Sequence, residues 1–146
     1  MTFPQLCTAA PVALDIPTAT ENDAITATAG LLTGWPDIVD TAGFLSAVLE
    51  RQQINPPLLG NGIALPHART PLVREVVMAI LRTREPVPFG PQGSPVRLIF
   101  LYGIPPHHVS EHLATTAALA RRLRDADRVR ALLETTDADS FRQLLL

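Results

Sequence analysis

Gly60-Asn61-Gly62-Ile63-Ala64-Leu65-Pro66-His67 reads as a tight turn, a short apolar strand and a histidine set just beyond it. Glycines let the backbone turn sharply and approach a ligand closely. Pro66 restricts the chain immediately before the imidazole, which fixes the ring at the end of a strand. Open α/β sheets place their ligand sites at strand ends and in the loops beyond them. An imidazole with an unperturbed pKa of about 6.5 is largely neutral, and therefore nucleophilic, near neutral pH. Spacing by itself favours an exposed histidine in a Pro/Gly loop.

The segments on either side follow the same alternation of strand and helix. Upstream, Asn55-Pro56-Pro57 is dense in turn formers, and Asp40-Thr41 opens a helix with Phe44, Leu45, Val48 and Leu49 on one face, ending near Arg51-Gln52-Gln53. Val12 to Ile16 reads as a strand. A helix carrying Ile25, Ala29 and Leu32 follows it, capped from Thr18 or Thr20 and stopped by Gly34-Trp35-Pro36, with Trp35 expected to anchor in the core. Downstream, Val76 to Leu81 and Val96 to Tyr102 are apolar runs that suit strands buried on both faces, separated by Pro- and Gly-rich turns. Ser110 is expected to cap a helix carrying Leu113, Ala117, Ala120 and Leu123. Another helix holds Val129, Leu132 and Leu133, and a last one starts at Asp139 or Ser140 and carries Phe141, Leu144 and Leu145. These elements predict an α/β fold: a three-layer α/β/α arrangement around a central mixed sheet, as one domain over residues 1–146.

Composition narrows the function. A chain of 146 residues with 47% hydrophobic and 18% charged side chains has the material for one ordinary core. The apolar run from Leu98 to Ile104 is too short to cross a bilayer, and the N-terminus has no basic segment leading into an apolar one. The single cysteine, Cys7, rules out an internal disulfide framework and suits a reducing compartment, so a cytoplasmic location is expected, peripheral to a membrane at most. Every basic residue is arginine. The cluster Arg121, Arg122, Arg124, Arg128 and Arg130 is interleaved with Asp125 and Asp127, which fits a solvated helix surface and not a nucleic-acid footprint.

Arg51 followed by Gly60-x-Gly62-Ile-Ala-Leu-Pro-His67 resembles the signature of enzyme IIA domains of the phosphoenolpyruvate-dependent sugar phosphotransferase system, fructose/mannitol class. Nitrogen-regulatory enzyme IIA proteins share it. The likeness continues through Asn22-Asp23-Ala24-Ile25, Pro86-Val-Pro-Phe89, Ser94-Pro95-Val96 and Glu111-His112-Leu113, and so covers nearly the whole chain. It implies that His67 takes a phosphoryl group from the small carrier HPr or its nitrogen-branch counterpart. The group would then pass to the cysteine of a IIB domain, or serve phosphorylation-dependent regulation. It further implies that Arg51 pairs with phosphoryl oxygens and that His112 donates a hydrogen bond across the site; no cofactor or metal is expected. Where the family has Ser-Thr, this chain has Pro56-Pro57, which removes two hydroxyls and two backbone donors. The phosphate cradle is then expected on the amides of Gly60, Asn61 and Gly62.

Two other readings use the same residues. One is a non-catalytic regulatory binding protein with a degenerate phosphate loop. The other is a histidine metal-binding module built from His107, His108 and His112, for which Glu111 is the single nearby carboxylate and no cysteine is at hand.

Overall fold

The longest strands decide the architecture, and a computed structural model describes them together with all of residues 1–146. Thirteen residues, Val77–Phe89, and eleven, Ser94–Ile104, pair as an antiparallel hairpin closed by a turn through Gly90 and Gly93, both at positive φ. The elements in order are α1 (Phe3–Ala9), β1 (Val12–Ile16), α2 (Glu21–Gly30), α3 (Thr41–Ile54), β2 (Leu58–Gly60), β3 (Ile63–Ala64), β4 (His67–Arg69), β5 (Val77–Phe89), β6 (Ser94–Ile104), α4 (Val109–Leu123), α5 (Ala126–Glu134) and α6 (Ala138–Leu144). The sheet order is β1-β5-β6-β3-β2, with β4 also on β6. β1 runs parallel to β5, and β3 and β4 run parallel to β6, whereas β5/β6 and β2/β3 are antiparallel. The sheet is mixed, as expected.

Alternation along β5 and β6 separates two cores. Met78, Ile80, Leu98, Phe100 and Tyr102 face α1, α4, α5 and α6, while Val77, Ala79, Leu81, Ile99 and Leu101 face α2 and α3. Both faces are covered, which gives the three layers. A fully buried Phe or Leu contributes about 1.5–3 kcal/mol to such a core. Trp35 is only partly buried and packs against the second cluster instead of anchoring it.

Several elements depart from the sequence reading. Helix α1 was not anticipated, although Thr2 and Gln5 form a capping box and Pro4 stands in the first turn. Strand β5 continues through Pro86 and Pro88, with a register shift between Arg82 and Val87, where turns were expected. Thr20, not Thr18, caps α2 through Asp23 N–H. Helix α4 starts at Val109 with His108 at its N-cap and no side-chain cap, so Ser110 lies inside the helix. Its buried face is Thr115, Ala118, Leu119 and Leu123, whereas Leu113 and Ala117 are exposed. Asp137 caps α6, two to three residues earlier than expected.

Candidate functional site

The backbone of Leu65 holds the lead-in to His67 from both sides. Its N–H donates to Pro57 C=O at 2.8 Å, and its C=O accepts from His67 Nδ1 at 2.8 Å. A carbonyl only accepts, so Nδ1 carries the proton and Nε2 keeps its lone pair, with no hydrogen bond of its own. The pairing of β4 with β6 puts His67 opposite Tyr102. The two rings stack, with centroids 4.7 Å apart and planes 9° apart. Tyr102 is fully buried, and its hydroxyl lies 2.7 Å from Thr116 Oγ1 on α4.

The N-terminal half of α4 and the C-terminal half of α3 bracket this histidine. His112 approaches edge-on, its ring centroid 5.0 Å from that of His67. Its backbone N–H donates to His108 C=O. Arg51 donates from Nη1 to Asn55 C=O at 2.8 Å, which spends one of its five N–H groups. Arg51, His67 and His112 line one open cleft of about 650 Å³, so the structure brings these three together. Glu50, Ile54, Arg69, Val109 and Leu113 complete much of its wall.

Gly60, Asn61 and Gly62 do not line this cleft, and the expectation of a phosphate cradle there is corrected. They form the turn between β2 and β3, all at positive φ, and Gly62 C=O accepts from Arg97 and Leu98 N–H. Ile63 pairs with Leu98 and His67 with Tyr102, so the chain runs in step with β6 between them. Four extended residues span about 13 Å, which puts the turn at the other end of the strand path. The glycines serve the turn. Pro56 likewise borders a different cavity.

The electrostatics favour an anion and neutral imidazoles. Burial lowers the His67 pKa below the ordinary imidazole value. The hydrogen bond to Leu65 opposes this, while the charge of Arg51, and of His112 whenever it is protonated, adds to it. Burial also lowers His112, helped by Arg69 and Arg51. The first turn of α4 opens at the cleft with its leading N–H groups uncapped by a side chain, which adds partial positive charge. A neutral nucleophile beside two guanidinium groups and a helix N-terminus is equipped to accept and hold a dianionic group.

The family model described as "Phosphoenolpyruvate-dependent sugar phosphotransferase system, EIIA 2" matches residues 5–146. The chain belongs to this family. An archaeal EIIA relative, the PTS system fructose-specific EIIA component of Haloferax volcanii, is 30% identical over 92% of this chain and 88% of its own length. The PTS system 2-O-alpha-mannosyl-D-glycerate-specific EIIABC component of Escherichia coli K12 is 34% identical over 78% of this chain, which spans only 18% of that protein. Among solved EIIA folds, nitrogen regulatory protein IIA-Ntr from Neisseria meningitidis superposes with a TM-score of 0.88 at 27% identity, covering 97% of this chain and 99% of that one.

Sequence reasoning missed Tyr102 and Arg69 as neighbours of His67, and Thr116 as the partner of the Tyr102 hydroxyl. Arg69 carried a usable signal, since a strand starting at His67 returns the residue two positions on to the same face. Tyr102 and Thr116 carried none, because only strand register and helix docking bring them near. His107 and His108 lie in and at the end of the loop before α4, and no group of three or more His, Cys, Asp or Glu side chains is arranged to hold a metal. No helix is long and apolar enough to cross a membrane.

Proposed function

We propose that this chain is a phosphocarrier that accepts a phosphoryl group on His67 Nε2 from a phosphohistidine carrier of the HPr type or its nitrogen-branch counterpart. The observation that carries the reading is the hydrogen bond from Nδ1 to Leu65 C=O, which fixes the tautomer and leaves Nε2 as the nucleophile. The Nε2 lone pair forms the new P–N bond as the donor's P–N bond breaks, and the donor imidazole leaves with that electron pair. Remaining N–H groups of Arg51, and those of Arg69, neutralise the phosphoryl oxygens, for which a planar guanidinium is suited. His112, kept neutral, donates a single hydrogen bond from the edge of the site. Exposed Ile54, Val109 and Leu113 at the rim offer apolar contact to a docking protein.

Onward transfer would go to a IIB cysteine thiolate, which forms a P–S bond as the P–N bond breaks and returns the electron pair to Nε2. The fit to a nitrogen regulatory protein over almost the whole chain favours a second use of the same chemistry, in which phosphorylation of His67 alters affinity for a regulatory target. Both uses place the protein on the cytoplasmic side. The test is incubation with phosphoenolpyruvate, enzyme I and HPr, followed by intact-mass measurement under basic conditions. One acid-labile phosphoryl group is expected on the wild type and none on His67→Ala; undiminished labelling of that variant would end the proposal.

A further inference from the structure

Two hydrogen bonds that fix the site end on one short piece of backbone. Arg51 Nη1 donates to Asn55 C=O at 2.8 Å, and Leu65 N–H donates to Pro57 C=O at 2.8 Å. Leu65 in turn accepts from His67 Nδ1 at 2.8 Å. The guanidinium and the imidazole, distant in sequence, are therefore anchored to carbonyls only two residues apart.

Those two carbonyls are held at a fixed spacing. Asn55 leaves α3 in an extended conformation, φ −164° and ψ 102°, as the steric demand of a following proline ring favours. Between its carbonyl and that of Pro57 lie three torsions: φ and ψ of Pro56, and φ of Pro57. The rings hold both φ angles at about −65°, and Pro57 restricts the ψ between them. Neither proline has an N–H, so the segment has no donor of its own to pair elsewhere.

We propose that Asn55-Pro56-Pro57 is a rigid brace that sets the Arg51 guanidinium and the His67 ring relative to each other, which makes Pro56 and Pro57 positioning residues. Groups already held in place give up less conformational freedom when a phosphoryl group arrives between them. The fixed spacing thus offsets the backbone donors that the prolines remove. The effect on phosphoryl transfer rests on the phosphocarrier reading, whereas the alignment of the two side chains does not. A purely structural role for the prolines, stopping α3 and stiffening the unfolded chain, would change stability and nothing at the site.

The test is Pro56→Ala combined with Pro57→Ala, with Pro57→Ala alone as the milder variant should the pair not fold. Nitrogen NMR of the unphosphorylated protein, at a pH where the ring is neutral, reads the His67 tautomer. Hydrogen exchange reads Arg51 Nη–H and the Leu65 amide, with the Ile80 amide, bonded to Pro11 C=O, as the reference for general loosening. A weaker Nδ1–H preference is expected, with faster exchange at Arg51 and Leu65 and none of it at Ile80. Transfer from HPr should slow by roughly tenfold, less than the hundredfold that a displacement of about 1 Å can cost. The sign is diagnostic, because the alanines restore two N–H groups: if missing donors limited the site, transfer would speed up. Faster transfer, or wild-type tautomer and exchange in a folded variant, would overturn the brace. A wild type that takes up no phosphoryl group would end the phosphocarrier reading instead, and the tautomer and exchange measurements would then decide the brace alone.

Discussion

The imidazole of His67 lies flat on the phenol of Tyr102, with centroids 4.7 Å apart and planes inclined by only 9°. Tyr102 is in turn tied to α4 by Thr116, four residues beyond His112. One ring thus connects the proposed nucleophile to the helix that presents its neighbour, which makes Tyr102 a positioning residue.

Tyr102→Phe keeps the stack and removes only the Thr116 hydrogen bond, so it should cost about 0.5–1.5 kcal/mol of stability and leave phosphoryl transfer nearly intact. Tyr102→Leu removes the platform. It should slow transfer from HPr and weaken the Nδ1 preference of His67, read as its tautomer ratio by nitrogen NMR. Wild-type tautomer and rate in a folded Tyr102→Leu protein would show that the stack positions nothing.

Acid should destabilise this fold through its two site histidines. Both have lowered pKa values, chiefly through burial, so the unfolded chain binds protons more readily than the native one. Stability is therefore greatest above the unfolded value of about 6.5 and falls as pH drops through it toward the native values. Each histidine contributes at most about 1.4 kcal/mol per pH unit in that window. Urea unfolding from pH 7.5 to 5 should show this slope, and His67→Gln with His112→Gln should flatten it. The phosphoryl-acceptor rate should likewise persist below the pH at which a free imidazole is half protonated.

Arg82 should be a structural cation whose loss leaves phosphoryl transfer alone. It is 3% exposed, donates to both oxygens of Asp15, and reaches Leu132 and Thr135 C=O near the end of α5. Asp15 is itself half exposed and can return to water, so the cost lies mainly in the stranded carbonyls. Arg82→Met should lower stability by about 2–4 kcal/mol by denaturant titration, with labelling of His67 unchanged below the melting transition.

Gly103 pairs with Ala68, directly beside His67, and has Phe44 pressed against it. An added Cβ would lie 2.7 Å and 2.9 Å from Phe44 ring atoms and 3.0 Å from Val73 Cγ2. Gly103→Ala should therefore cost about 1–3 kcal/mol by overpacking. A thermal scan that finds no loss would mean that the α3 ring yields freely.

Local chemistry alone determined the turn at residues 60–62, the apolar lead-in to His67, strand β1 to its exact ends, and the cap of α3 at Asp40. Each depends on neighbours within a few residues, through glycine dihedrals, proline restriction, side-chain caps or short periodicity. The assembly of Arg51, His67, His112, Tyr102 and Arg69 into one place was decided by tertiary structure, because register on β6 and the docking of α3 and α4 depend on partners far along the chain. The same holds for Leu113. Periodicity identified its helix, but which stripe faces the sheet depends on how that helix docks, and docking left Leu113 at the rim of the cleft. The prolines of β5 mark the limit in the other direction: they read locally as turns, yet pairing to β6 on both sides of the register shift, Val77 to Arg82 and Val87 to Phe89, held the chain extended through them.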